Sequence, residues 1–178
     1  ILKTLILFSL PLVLSGLLQQ LYNWADAFIV GNVEGQLPLA AIGATGVMSW
    51  LLVMTITGFT VGISILTGHL AGAGRREKIP DVLSSFSLVL GGFFLVAAVF
   101  GELFTTPILR LLDTPEDILP AASQYLRIIF LGVPFLVIYN VHAAVLRGMG
   151  DSRAPFFAIV VSALTNVLLD LLLVAVYR

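Results

Sequence analysis

Long apolar stretches dominate this chain, and short segments rich in glycine, proline and charge separate them. A bilayer core about 30 Å thick requires about 20 residues of helix, and five stretches reach that length. The predicted spans are residues 5–31, 39–70, 82–105, 120–146 and 155–177. Pro11 and Pro134 fall inside spans and predict kinks, which membrane helices tolerate when neighbours satisfy the freed backbone groups. The pattern predicts an all-α integral membrane protein built as a polytopic helix bundle.

Composition agrees with this class. The chain is 59% hydrophobic and 11% charged, whereas soluble domains carry about 25% charged residues. Because cysteine is absent from the sequence, disulfides and thiolate metal sites are excluded. The net charge of −1 gives no indication of nucleic-acid binding. We therefore expect the lipid bilayer, and not nucleic acid, as the environment.

The basic residues predict an orientation. With the N-terminus in the cytoplasm, six basic residues face inward, and the outer side holds Arg110, Arg178 and, at a span boundary, Arg127. The inner six are Lys3, Arg75, Arg76, Lys78, Arg147 and Arg153, while the first outer loop carries only Glu34. This asymmetry follows the positive-inside rule. It predicts a multi-pass protein of the plasma (inner) membrane with a cytoplasmic N-terminus.

Two carboxylates lie inside apolar spans, Asp26 in the first and Asp170 in the fifth. A charge at mid-bilayer costs roughly 2.5–3.5 kcal/mol on insertion scales, so such residues are usually functional. Polar residues accompany them at helical spacing: Gln19, Tyr22 and Asn23 precede Asp26, and Ser162 and Asn166 precede Asp170. If both spans run outward, the carboxylates lie roughly 8 and 11 Å below the outer surface. The pattern predicts a shared cation or proton site; the alternative is neutral groups that hydrogen-bond between helices.

Other polar and small residues favour structural interpretations. Gly58, Gly62, Gly68 and Gly72 form small-xxx-small patterns that predict close helix packing. His69, Glu102 and Arg127 lie near span boundaries, where solvation or snorkelling accounts for them. His142 is a candidate proton relay, although an interhelical hydrogen bond is the favoured interpretation.

The connection between the fourth and fifth spans contains Gly148-Met149-Gly150-Asp151. Glycines suit a helix end, Asp151 or Ser152 suits an N-cap, and Pro155 suits a first turn. The same Gly-x-Gly-Asp form occurs in intramembrane aspartyl proteases, which raises an enzyme hypothesis. That chemistry requires a buried carboxylate dyad, whereas Asp151 lies at the membrane edge between two arginines. We therefore predict that the chain is not an enzyme.

Three segments together resemble a known family. They are Pro11 to Gly31 with its Gln-Gln-Leu-Tyr-Asn-Trp-Ala-Asp-Ala-Phe-Ile-Val-Gly core, Pro107 to Arg127, and Leu146 to Ser152 followed by Pro155. They are similar to segments of the multidrug and toxic compound extrusion (MATE) family of antiporters. The resemblance implies twelve helices in two six-helix lobes. On this comparison, residues 1–178 are five of the six helices of an N-lobe, and the sixth helix and the C-lobe are absent.

The resemblance also implies a site. The family's N-lobe cation site corresponds to Tyr22, Asp26, Asn166 and Asp170, with Na⁺ expected at Asp26, Tyr22 and Asn166 in a sodium-coupled member. Gln19, Asn23 and Ser162 would be supporting polar groups. No cofactor is implied beyond Na⁺ or H⁺ as the coupling ion.

The function implied is efflux of organic cations and other xenobiotics in exchange for that ion, by alternating access between two openings. The expected partners are small organic cations, the bilayer and the missing C-lobe. A flippase for lipid-linked oligosaccharides is one alternative, although the first and fifth spans lack the basic residues that a pyrophosphate would require. A non-transporting membrane scaffold is another.

Overall fold

The computed structural model describes residues 2–33 and 35–176, and this part of the chain is helical with no strands. Five long helices follow one another: α1 (Leu2–Val33), α2 (Gln36–Gly72), α3 (Ile79–Leu111), α4 (Leu119–Gly148) and α5 (Arg153–Asp170). A 3-10 turn, Arg76–Lys78, precedes α3, and a π-helical segment, Leu171–Val176, continues α5. All five are long and apolar enough to cross a membrane. The five predicted spans are therefore confirmed as helices. Glu34, Tyr177 and Arg178 lie outside the described residues.

The helices form two compact units. The first comprises Ile1–Leu39 and Gly150–Arg178, and the second comprises Ala40–Met149. In the first unit, α1 packs against α5 and against the π-helical segment that follows it. Few side chains are fully buried there; they include Ser15, Ile159 and Ala163.

The second unit contains the hydrophobic core. α3 and α4 pack along each other, and buried residues of α2 join the same cluster. Its fully buried members include Ile56 and Ile63 of α2, Phe94 of α3, and Leu126 and Val141 of α4. The ring of Phe130 on α4 fills the space beside Gly101 on α3, where an added Cβ would overlap it. This close approach sets the spacing of the α3–α4 pair.

One predicted break was placed too early. The third span was expected to end at Thr105, but α3 continues through Pro107 to Leu111. Proline lacks the amide proton that an interior helix position uses. The last turns of α3 are nevertheless held by packing, because Thr105 and Leu109 are completely buried. Tertiary burial therefore outweighs the local preference of proline to end the helix.

Of the four glycines in the small-residue pattern of α2, Gly68 makes a close contact with another helix among the described residues. Gly68 contacts the backbone of Gly148, whose carbonyl oxygen would lie 3.4 Å from an added Cβ. At Gly148 an added Cβ would lie 2.5 Å from the carbonyl oxygen of Ser64. In contrast, a Cβ added at Gly58, Gly62 or Gly72 would meet no neighbouring element within 4 Å among the described residues. The close packing predicted for α2 is seen where Gly68 meets Gly148 at the C-terminal end of α4, because a small residue there faces another small residue.

Candidate functional site

The packing of α1 against α5 brings the two polar stripes into one unit of the structure. Tyr22 and Asp26 of α1 are half-buried, and so are Asn166 and Asp170 of α5. The three supporting candidates differ from these four, because Gln19, Asn23 and Ser162 are exposed. Burial therefore separates a cluster of four residues, Tyr22, Asp26, Asn166 and Asp170, from its flanking polar groups. We call these four the carboxylate cluster.

Asp26 and Asp170 lie on helices that pack against each other, and the charge of Asp26 is near enough to influence that of Asp170. Both lie in the last third of their helices, Asp26 on α1 and Asp170 at the end of α5. A contact between these two ends fits helices that run in the same direction, as the sequence predicts. Two negative charges near each other in a medium of low dielectric constant repel strongly. A bound cation or a shared proton relieves that repulsion.

Two oxygen atoms of the cluster are buried without a hydrogen-bond partner among the described residues. They are Oδ1 of Asn166 and Oδ2 of Asp170. A buried acceptor that lacks a partner costs about 1–3 kcal/mol, and such groups are uncommon in folded proteins. Carboxylate and amide oxygens are hard ligands that suit a proton or a hard cation. The donor set therefore fits Na⁺ or H⁺.

The cluster does not have the composition of a transition-metal site. Among the described residues, no group of three or more His, Cys, Asp or Glu side chains is arranged to hold a metal ion. The cluster has only two carboxylates, and its other candidate ligands, Tyr22 and Asn166, are neutral oxygen donors. Such a mixture suits a monovalent ion or a proton better than a strongly bound divalent metal.

The helix changes geometry directly after the cluster. Asp170 is the last α-helical residue of α5, and residues Leu171–Val176 are π-helical. The amide of Leu171 still donates to the carbonyl oxygens of Leu168 and Val167, three and four residues back, so the wider π-helical register begins beyond this amide. Departures of this kind occur frequently beside functional sites. Sequence analysis did not predict this one.

The connection before α5 is held by Asp151. Its Oδ1 accepts hydrogen bonds from the amides of Arg153, at 2.9 Å, and Ala154, at 3.1 Å. Ser152 precedes the helix but its side chain makes no capping bond. Gly150 adopts a φ of +89°, which glycine accommodates without strain. Asp151 is therefore a capping carboxylate, and this structural role accounts for the motif that suggested a protease.

Two further interpretations of polar residues need correction. His142 was expected to bond to another helix, but its Nδ1 lies 2.8 Å from the carbonyl oxygen of Ile138 on its own helix. Glu102 and Arg127 were interpreted as separate snorkelling residues, but Oε1 of Glu102 lies 3.8 Å from Nε of Arg127. The sequence contained a signal for this pair. Glu102 lies nine residues before the end of α3 and Arg127 eight residues after the start of α4, so consecutive antiparallel helices would place them at a similar height.

Comparisons with known proteins show the family to which the chain belongs. A model of the MatE family matches residues 11–172. The chain is 35% identical to "Probable multidrug resistance protein YoeA" of Bacillus subtilis (strain 168), over 94% of this chain and 36% of that protein. It is 30% identical to a protein of Shewanella oneidensis described as "FAD transporter", over 86% of this chain and 34% of that protein.

A solved structure has the same fold over nearly the whole chain. "Crystal structure of MATE in complex with MaD3S" superposes with a TM-score of 0.84 at 26% identity, over 96% of this chain and 38% of that one. The chain thus spans between a third and two fifths of the length of these proteins. Because the family model covers nearly the whole sequence, the chain belongs to the MATE family.

Proposed function

We propose that this chain forms part of the N-lobe of an ion-coupled efflux antiporter, and that the carboxylate cluster binds the coupling ion. The observation that carries the proposal is the cluster itself. Two carboxyl groups lie on packed apolar helices, Asp26 and Asp170 on α1 and α5, and two of the cluster's buried oxygens lack partners among the described residues. Intramembrane acidic residues are expensive to bury and usually serve transport.

In the proposed mechanism, H⁺ or Na⁺ enters the cluster from outside and neutralises the repulsion between Asp26 and Asp170. Occupied and empty clusters then favour different arrangements of the surrounding helices, and substrate is released outward in one of them. Coupling requires that the ion and the substrate favour different states or compete for one. The sixth helix and the C-lobe would complete the substrate cavity. The N-terminus would be cytoplasmic.

Replacement of Asp26 by Asn in the full-length protein tests this proposal. The amide keeps the shape of the side chain but cannot carry a charge, so ion-driven efflux of a fluorescent organic cation should fall to the background of vesicles without protein. The assay is performed in proteoliposomes with an imposed Na⁺ or H⁺ gradient. Asp81→Asn is the matched control, because Asp81 is an exposed carboxylate in the first turn of α3. Gradient-driven efflux that survives Asp26→Asn contradicts the mechanism.

The same vesicles separate two substrate classes. Multidrug efflux is the first candidate because YoeA is described as a multidrug resistance protein. A flavin dinucleotide is the second, since the Shewanella relative is described as an FAD transporter. Competition by FAD against the fluorescent cation, or direct FAD uptake, would favour the second class. Activity with cations that FAD does not affect would favour the first.

A further inference from the structure

A second polar site lies in the other unit, at the end of the helix pair where α3 finishes and α4 begins. A cavity of about 400 Å³ opens there. It is lined by the polar residues Thr106, Arg110, Glu116, Ser123, Gln124 and Arg127, together with Leu119 and Pro120. None of these residues belongs to the carboxylate cluster. The volume falls within the range of pockets that bind small molecules.

Two guanidinium groups face this cavity, and each is only partly engaged by a carboxylate. Nε of Arg110 lies 3.3 Å from Oε1 of Glu116, and Nε of Arg127 lies 3.8 Å from Oε1 of Glu102. A guanidinium has five N–H donors in a planar fork, so both contacts leave most of the donors available. The side chains of Arg110 and Glu116 are 61% and 73% exposed. An ion pair this exposed contributes little and is easily exchanged.

The rest of the lining also favours an anion. The hydroxyl oxygens of Thr106 and Ser123 lie 3.4 Å apart, and Gln124 adds an amide. The lining carries two arginines and one glutamate, and Glu102 lies beside Arg127, so an incoming anion has to displace a carboxylate from an arginine. Arginine pairs recognise phosphate through two parallel N–H···O bonds, which a single ammonium group cannot reproduce. The chemistry of the cavity therefore matches a phosphate ester.

The position of the cavity along the helices indicates where that phosphate comes from. α3 has 33 residues and is therefore roughly 50 Å long, well beyond the hydrocarbon thickness of about 30 Å. Arg110 lies in its last turn, and Arg127 lies eight residues, roughly 12 Å, from the start of α4. If the helix pair is centred on the bilayer, these two positions lie on either side of the hydrocarbon edge, where basic pockets between membrane helices meet lipid headgroups.

We propose that this cavity binds the phosphate of an anionic phospholipid headgroup. Arg110 and Arg127 donate to the phosphate oxygens, and Glu116 is the internal carboxylate that the phosphate displaces from Arg110. Glu102 stays beside Arg127 through its Oε1, which lies 3.8 Å from Nε of the arginine. The proposal does not depend on the identity of the transported substrate.

The test is a titration of the purified full-length protein in detergent with short-chain phosphatidylglycerol, with affinity measured by thermophoresis. Arg110→Gln and Arg127→Gln should each weaken binding about tenfold, the effect of losing one charge-assisted bond. Glu116→Gln should strengthen binding a few-fold, because the competing carboxylate is gone. That gain cannot arise from misfolding, so it keeps the test valid if an arginine variant is unstable. Arg75→Gln is the matched control, an exposed arginine at the other end of α3 that should bind like the unmodified protein.

Two further probes identify the source of the phosphate. Phosphatidylcholine carries the same phosphate with a quaternary ammonium and should bind at least tenfold more weakly. Inorganic phosphate should compete only at concentrations far above those of the lipid. Equal affinity for inorganic phosphate would overturn the lipid assignment. Equal weakening by Arg75→Gln, or weaker binding by Glu116→Gln, would overturn the site itself.

Discussion

The two units of this chain are both built from apolar membrane helices, but one buries a hydrophobic core and the other partly buries a polar cluster. In the unit formed by residues 40–149, every buried member of the hydrophobic core cluster lies on α2, α3 or α4. Most of its buried hydroxyls are satisfied by their own helix; Thr45 bonds to Ala41 and Thr105 to Gly101. Its unpartnered buried oxygens are spread along α2 and α3, on Thr67, Ser87 and Glu102. In the α1–α5 unit, few side chains are buried, and the two unpartnered oxygens among the described residues are four residues apart on one helix, on Asn166 and Asp170.

We therefore expect substitutions in the α2–α4 unit to change mainly stability, and substitutions in the carboxylate cluster to change mainly function. In the α2–α4 unit, packing at Gly101 and Gly148 leaves no room for a larger side chain, so substitutions there should change folding. In the α1–α5 unit, the buried oxygens of Asn166 and Asp170 lost their hydrogen bonds to water on folding and gained no partner among the described residues. Sites that carry such uncompensated groups are where function is expected. The following predictions test whether the two kinds of damage can be separated.

The largest effect is expected from Asp170→Asn. If Asp26 and Asp170 act as one site, either substitution alone should abolish ion-driven efflux, and the double variant should be no worse than either single one. The full-length protein should keep its expression level and melting temperature, because no core contact is removed. Initial rates in gradient-loaded vesicles provide the measurement. Independent, multiplicative losses would show that the carboxylates do not form one site.

An intermediate effect is expected from Gly101→Ala. The added methyl group overlaps the ring of Phe130, and overpacking of a core typically costs 1–3 kcal/mol. Thermal unfolding in detergent should therefore shift downward, while vesicle transport per folded molecule stays unchanged. Gly91→Ala in the same helix is the control, because a Cβ added at Gly91 would meet no neighbouring element within 4 Å among the described residues. Adding Phe130→Leu to the Gly101→Ala variant should raise its unfolding temperature part of the way back, because the smaller side chain leaves room for the new methyl group. If the unfolding temperature does not rise, overlap with Phe130 is not the cause of the destabilisation.

The smallest effect is expected at the start of α5. Asp151→Ala removes the two capping bonds to the amides of Arg153 and Ala154, and loss of an N-cap costs about 1 kcal/mol. Asp151→Asn keeps a side-chain acceptor, so its free energy of unfolding should lie within a few tenths of a kcal/mol of that of the unmodified protein. Both are measured by thermal unfolding. Proteolysis of a membrane peptide by the unmodified protein, lost in both variants, would instead revive the protease hypothesis.

Sequence reasoning was strongest for properties that lie along a single helix. Bilayer thickness fixes the length of an apolar run, so the five spans were predictable to within a few residues except at Pro107. Helical periodicity placed Tyr22 and Asp26 on one face and Asn166 and Asp170 on another. It could not distinguish these half-buried groups from exposed Gln19, Asn23 and Ser162, because burial depends on the neighbouring helix.

By itself the sequence determined the membrane class, the helices, the polar stripes and the resemblance to the MATE family. Only the tertiary structure decided which side chains meet. It paired Glu102 with Arg127, seated Phe130 against Gly101, turned His142 toward its own backbone and opened the cavity beside Arg110. The physical reason is that spacing along a chain fixes the face of a helix, whereas the partner across from that face is fixed by how helices pack.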